Sequence, residues 1–268
     1  CGGWTPKTRS TCQLVVGARH DRNLSNIGSY HASRAAHSKT YVLNRPEIAA
    51  ILHNGLDFRH IAIEGPLGAG KSRLAERLAV RLDAASIQDA TENPFLTDFY
   101  SARPGAAFQA QLFSLLARHR QQAALRQTDL FSQSTICDYL FDKDKIYAYL
   151  NLDDNELFIY QRLYDLLVQD VATPDLVIYL QSPSDVLNQR LKERAKRDPK
   201  RPLPDARYIQ ELNEAYNHFF FHYTATPLLV VETSQFDIAW HDDALEDLSR
   251  QLRDMGLGTR FYVPRTGA

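Results

Sequence analysis

Residues Gly65 to Ser72 read Gly-Pro-Leu-Gly-Ala-Gly-Lys-Ser, an order of residue types suited to gripping phosphate. Gly65, Gly68 and Gly70, with the small Ala69 among them, let the backbone curl so that its N–H groups converge on phosphate oxygens. Lys71 can then reach the β- and γ-phosphates, and the Ser72 hydroxyl can hold Mg²⁺. The N-terminus of a following helix adds a favourable dipole. The pattern is the complete GxxxxGK(S/T) phosphate-binding loop and implies a nucleoside triphosphate. Asp138 directly follows the apolar run Thr135-Ile136-Cys137. An acid at the end of such a strand can organise Mg²⁺ and its waters in phosphoryl transfer; it can also simply cap a turn.

Two further groups of polar residues could take part. Gln111 and Arg118 lie nearly two helical turns apart, about 10.5 Å along one face, among Phe108, Leu112, Leu115 and Leu116. They could line a pocket or edge a solvated face; the spacing alone leaves both open. Arg190, Arg194, Lys196, Arg197, Lys200 and Arg201 cluster near Pro199 and Pro202. Cations suit a helix C-terminus, and the same cluster could close as a basic lid over a triphosphate.

Those residues need a frame. From Asp57 onward, short apolar runs at His60–Glu64, Ala85–Gln88, Ser134–Cys137, Leu176–Leu180 and Leu228–Val231 predict strands buried on both faces. Helical patterns over Ser72–Leu82, Ala106–Arg126, Asp154–Val171, Ser184–Lys196, Ala206–Tyr223 and Asp243–Met255 separate them. Ser182-Pro183 predicts a helix N-cap with proline at the first helical position. The alternation predicts an α/β fold: a doubly wound, parallel, five-stranded sheet of the P-loop NTPase kind, with its site at the carboxyl ends of the strands.

Composition narrows the alternatives. The chain has 268 residues, with 31 Lys and Arg against 32 Asp and Glu, so no strong field favours general nucleic-acid binding. Its three cysteines show neither disulfide nor metal-ligand spacing, and no apolar stretch approaches the ~20 residues of a bilayer span. A soluble protein without nucleic-acid or membrane partners is expected. Residues 1–55 form a basic, acid-poor leader set apart from a domain over 56–268. An organelle address, a flexible arm and upstream sequence joined to the reading frame all fit that leader. A cytoplasmic protein is expected, or a mitochondrial one if the leader is a transit peptide.

Taken together, the motifs resemble the bacterial deoxyribonucleoside kinases. The resemblance rests on the phosphate loop, Glu92-Asn93-Pro94-Phe95-Leu96, Ala107-Phe108-Gln109-Ala110-Gln111, Asp138-Tyr139-Leu140-Phe141-Asp142-Lys143-Asp144-Lys145, Pro174-Asp175-Leu176-Val177-Ile178-Tyr179-Leu180 and Leu212-Asn213-Glu214-Ala215-Tyr216-Asn217. It runs in order from about Asp57 to the C-terminus. It implies ATP- and Mg²⁺-dependent transfer of a γ-phosphoryl group to a deoxynucleoside 5′-hydroxyl, in nucleoside salvage. It also implies that Gln111 bonds the base, that Arg118 and Asp144 form the charged pair beside it, and that Tyr100 contacts the sugar 3′-hydroxyl. Arg190 and Arg194 would be phosphate-binding arginines of a lid near 190–204. Phe236 and Asp237 would fall in the adenine loop, and relatives are typically homodimers joined through long helices, here Ala106–Arg126 and Asp154–Val171.

Departures from the family pattern bear on catalysis. Relatives carry a glutamate base five residues before the Asn-Pro pair, and here that position is Gln88. An amide can orient a hydroxyl but cannot take its proton, and loss of a general base costs about 10²–10⁴ in rate. Asp89 is adjacent, but on a regular strand it would point to the other side, unless the strand ends at Gln88 or bulges. Lys196 stands where an arginine is usual, Ala195 replaces a glycine, and Pro199 replaces an acid. Tyr139 follows Asp138 where many relatives have arginine, although bacterial members of this branch often share the tyrosine. Its presence disfavours the alternative of a thymidylate kinase. An active kinase slowed by Gln88 is the leading expectation, and a catalytically silent, kinase-like accessory subunit is the alternative. Gln111 is compatible with adenine, guanine or cytosine, so a purine deoxynucleoside or deoxycytidine is expected over thymidine.

Overall fold

The computed structural model describes residues 58–89, 92–128, 134–198, 203–235 and 241–264. The leader, the part of the basic cluster at 199–202 and the expected adenine-loop residues Phe236 and Asp237 lie outside them. Among the described residues a single sheet forms from β1 (His60–Glu64), β2 (Ala85–Ile87), β3 (Thr135–Cys137), β4 (Leu176–Gln181), β5 (Leu228–Glu232) and β6 (Thr259–Tyr262). Every pairing is parallel, in the order β2-β3-β1-β4-β5-β6. The chain runs to one side of β1 for β2 and β3, then crosses to the other side for β4. Ligands in such sheets bind in the crevice beyond the strand ends where the order reverses.

Side-chain alternation in the central strands builds two cores. Ile61, Ile63, Ile178 and Leu180 face α1 (Lys71–Leu82), packing with Leu74 and Leu78. Ala62, Val177 and Tyr179 face the other way and meet Leu212, Tyr216 and Phe220. Both faces of β1 and β4 are therefore dry, which is why their sequences read as continuous apolar runs rather than alternating ones. The remaining helices in chain order are α2 (Leu96–Tyr100), α3 (Ala106–Thr128), α4 (Lys143–Asn151), α5 (Asp154–Leu167), α6 (Ser184–Arg197), α7 (Ala206–Phe221) and α8 (Asp242–Arg253). Leu115, Phe141, Ala148, Tyr160 and Tyr164 form a third cluster that ties α3, α4 and α5 together.

Local chemistry sets several boundaries. Asp153 caps α5 by accepting from the Asn155 and Glu156 N–H groups at 2.9 Å, while Glu156 reaches back to the Asp153 N–H, a full capping box. Gly70 turns into α1 at φ 95°, left-handed backbone that glycine adopts without a Cβ clash. The start of α6 differs from the sequence expectation. Pro183 remains extended and α6 begins at Ser184, because the Ser182 hydroxyl bonds Thr233 Oγ1 at 2.6 Å across the sheet instead of capping the helix. The sheet also has one strand more than expected. β6 is an edge strand in which Thr259 and Phe261 are exposed and only Tyr262 is buried, so it lacks the dry apolar run that marks the others.

Candidate active site

Beyond the carboxyl ends of β1 and β3 lies a cleft of about 820 Å³, large enough for a sizeable organic ligand. The phosphate loop forms one wall. Its tightness depends on Gly65, where an added Cβ would lie 2.7 Å from the Leu180 carbonyl oxygen. Gly68, at φ 87°, lets the loop lie against Leu187 and Leu191 of α6. Beneath the loop, the fully buried Glu64 accepts from the N–H groups of Gly65 at 2.9 Å and Leu140 at 2.8 Å, and from the Tyr216 hydroxyl at 3.2 Å. One carboxylate thus joins the end of β1, the turn after β3 and α7. Lys71 Nζ donates to the Gly65 and Pro66 carbonyls at 2.6 and 3.2 Å and lies 3.7 Å from Glu64. Burial lowers the Lys71 pKa from its ordinary value, Lys143 adds to that, and Glu64, Asp138 and Asp89 oppose it.

Of the residues singled out from sequence, Gly68, Gly70, Lys71, Ser72, Gln88, Tyr100, Gln111, Arg118, Asp138, Asp144, Arg190 and Arg194 all line this one cleft. Gly65 and Ala69 shape the loop from behind; Ala69 is buried and its N–H closes a turn onto Pro66 O at 3.2 Å. The ambiguity over Gln111 and Arg118 resolves toward a pocket, since both are more than nine-tenths buried. Gln111 Nε2 donates to the Asp144 backbone oxygen at 2.9 Å and to Asp144 Oδ1 at 3.0 Å. Arg118 Nη1 bonds the same Oδ1, while its Nε and Nη2 fork onto Asp89, both at 2.9 Å. Burial pushes the Asp144 carboxyl up to about 6, with Arg118 and Lys143 offsetting only part of that. For Asp89 burial also acts upward, but Lys143 and Arg118 together hold it well below the usual carboxylate range.

The side chains of residues 88 and 89 point differently from those of a strand running through Gln88. β2 ends at Ile87, so Gln88 and Asp89 lie past the regular strand and need not alternate as strand residues do. The exposed Gln88 sends its side-chain amide back to Glu76 on α1, and its backbone oxygen accepts from Gln121 Nε2 at 2.7 Å. Asp89 turns inward instead. Its N–H donates to Asp138 Oδ1 at 2.6 Å and its carboxylate meets Arg118 and Lys143. Asn93 is pinned to α3, the helix that carries Gln111 and Arg118, with Nδ2 donating to Ala110 O at 2.7 Å and Ser114 Oγ at 2.9 Å.

The outer rim comes from α2 and α6. Tyr100 faces Tyr208 with ring centroids 6.5 Å apart, and burial raises its phenol pKa while Arg194 draws it back. Arg190 is held by Ser182 Oγ at 3.4 Å and the Thr233 carbonyl at 2.5 Å, at the ends of β4 and β5. Arg194 and Lys196 are exposed on the last turns of α6. Tyr139 is buried and its hydroxyl is taken up by Gln121 and Gln122. The ring therefore fills space beside α3 rather than presenting a cation to the cleft. Among the residues assigned no individual role from sequence, Lys143 and Tyr147 also line the cleft. Lys143 sits within the quoted Asp-Lys-Asp-Lys run but resembles an ordinary surface lysine there.

Ser72 and Asp138 offer hard oxygen donors on the same cleft. That suits Mg²⁺, which retains several waters and needs only one or two protein ligands. Among the described residues no group of three or more His, Cys, Asp or Glu side chains could hold a metal by itself.

Comparison with known proteins agrees with this geometry. The family model for deoxynucleoside kinases matches residues 61–255. The chain is 34% identical to a deoxyguanosine kinase of Bacillus subtilis over 161 residues, 58% of this chain and 75% of the relative. It is 30% identical to a deoxyadenosine kinase of Dictyostelium discoideum over 204 residues, 74% of this chain and 81% of the relative. Among solved structures it is similar to deoxyadenosine kinase from M. mycoides with bound dATP. That likeness has a TM-score of 0.59 and 26% identity, covering 72% of this chain and 97% of the other.

Proposed function

The chain belongs to the deoxynucleoside kinase family, and from that premise we propose that it transfers the γ-phosphoryl group of ATP to the 5′-hydroxyl of a deoxynucleoside in nucleoside salvage. The observation that carries this reading is the convergence, on one cleft, of the phosphate loop, Asp138 and the buried Gln111–Asp144–Arg118 network. The loop's N–H groups and Lys71 hold the phosphates. Arg190 and Arg194 approach from α6 to meet the charge that builds on the transferring group. Ser72 and Asp138 would hold Mg²⁺, which supplies countercharge to the phosphates. Gln111 and Asp144 bind the base, and Tyr100 bounds the sugar.

The hydroxyl oxygen forms its bond to the γ-phosphorus as the bridging P–O bond breaks. The electron pair of that bond leaves with ADP, and the hydroxyl proton is released to water. Catalysis is then mostly positioning and charge compensation. A purine deoxynucleoside or deoxycytidine is the proposed acceptor, in keeping with relatives named for deoxyguanosine and deoxyadenosine. A homodimer through α3 and α5 is part of the same proposal, supported by the exposed Leu116, Phe158, Ile159 and Leu166.

The alternative, a silent kinase-like subunit, draws on Gln88. The inward-facing Asp89 weakens it, since a carboxylate is present beside Asp138 even though residue 88 is an amide. Coupled measurement of ADP formation with each of the four deoxynucleosides tests the proposal. Nucleoside-dependent ADP release is expected, whereas ATP binding without release for any of them would favour the silent reading.

A further inference from the structure

Lys143 occupies a place where a lysine has little reason to be. It is buried, with 6% of its surface exposed, in the first turn of α4. That end of a helix carries partial positive charge and disfavours a cation. It also lies close enough to Lys71 for the two charges to oppose one another. Desolvation, the helix dipole and a like charge all act against it. Asp89 offsets these, with Oδ2 2.5 Å from Lys143 Nζ, but Asp89 already shares its charge with the Arg118 fork. A buried cation that lines this cleft suits an anion that arrives with substrate.

Position says which anion. Lys143 donates to the carboxylate of Asp89, whose own N–H bonds Asp138, so it sits at the phosphoryl end of the cleft. Tyr139, the residue following Asp138, turns away into a bond with Gln121 and Gln122 and supplies no charge there. Lys143 Nζ lies 5.5 Å from the centroid of that ring. The family pattern's arginine at residue 139 is thus answered four residues later, from the next helix. We propose that Lys143 is the cation that meets the transferring phosphoryl group, and that Asp89, in place of Gln88, positions both Lys143 and the deoxynucleoside 5′-hydroxyl. Because Asp89 also holds Arg118, it connects the base-binding network to the phosphoryl end.

The inference rests on the kinase reading, and the test separates the two. Native protein that turns over no deoxynucleoside defeats the kinase reading, and the inference with it. Given native turnover, Lys143→Met is expected to lower kcat about 10²–10³-fold, the range seen when a preorganised charge-stabilising group is removed. Calorimetric Kd values for ATP and for the deoxynucleoside should stay within threefold. Lys143→Arg should recover at least a tenth of native kcat, because it restores a cation. Asp89→Asn should lower kcat at least tenfold, and Lys143→Gln provides a second neutral variant should the methionine protein not fold. The inference is overturned if folded Lys143→Met or Lys143→Gln retains kcat within threefold. It is equally overturned if kcat loss is matched by lost deoxynucleoside affinity and Lys143→Arg recovers nothing, which is the behaviour of a purely structural lysine.

Discussion

Replacing Arg118 with methionine keeps the side chain's length and apolar stem but removes three charge-assisted bonds, two to Asp89 and one to Asp144. Hydrogen bonds to charged groups contribute about 1.5–3 kcal/mol each, so a simple sum would overstate the loss. Asp89 keeps Lys143 as a partner. Asp144, already pushed up to about 6 by burial, takes a proton once its cation is gone; each further pKa unit costs about 1.4 kcal/mol. The net loss is expected near 3–5 kcal/mol, the range for breaking a buried ion pair on one side. Urea unfolding at pH 7.5, followed by far-UV circular dichroism, measures it, with deoxynucleoside Kd by calorimetry on the same samples. Arg118→Lys should fall between the two, since it keeps charge but loses the fork. A loss below about 1 kcal/mol with native deoxynucleoside affinity would refute the buried network as the base-binding element, because an exposed pair contributes no more than that.

Lys71→Ala is expected to abolish ATP binding by calorimetry, and unchanged affinity would remove the phosphate-loop assignment. Asp144 is neutral in the folded protein below about 6 but ionises near 3.9 when unfolded, so raising pH through that window weakens the fold. The stability difference between native protein and Asp144→Asn should therefore shift against the native chain by about 1 kcal/mol between pH 5 and pH 7.5; a constant difference would show that Asp144 is ionised throughout. Gln88→Glu sets a carboxylate on a side chain that turns back to Glu76 at the edge of the cleft and should not raise kcat, whereas a tenfold gain would return the base position to residue 88. Gly65→Ala should lower stability by about 1–3 kcal/mol through its approach to the Leu180 carbonyl, and a neutral result in thermal unfolding would mean the loop yields freely.

The parts of this molecule that were legible from sequence are those where chemistry and burial point the same way. β1 and β4 are dry on both faces, and the residues of the phosphate loop have few other uses in that order. α4 was missed because its first residues, Lys143 and Asp144, are charged yet buried, which breaks the apolar periodicity that marks a helix. β6 and the short α2 were missed because most of their residues stay in contact with water. Gln111 and Arg118 could be placed on one helical face but not in a pocket. What buries them is Asp144, 26 residues beyond Arg118, and a partner so distant leaves no local spacing to read. The direction of Asp89 depended on where β2 stops. A strand one residue shorter than its apolar pattern turned the expected pairing of inward and outward residues around.

The central claim is that this cleft brings the ATP phosphates and a deoxynucleoside hydroxyl together for transfer. The most direct measurement follows label from γ-³²P-ATP in the presence of Mg²⁺ and each deoxynucleoside, with the labelled product identified by chromatography. The account predicts a deoxynucleoside 5′-monophosphate carrying the label, formed by the native chain and absent with Lys71→Ala. Label appearing only as inorganic phosphate, or remaining in ATP while both ligands are bound, would contradict it.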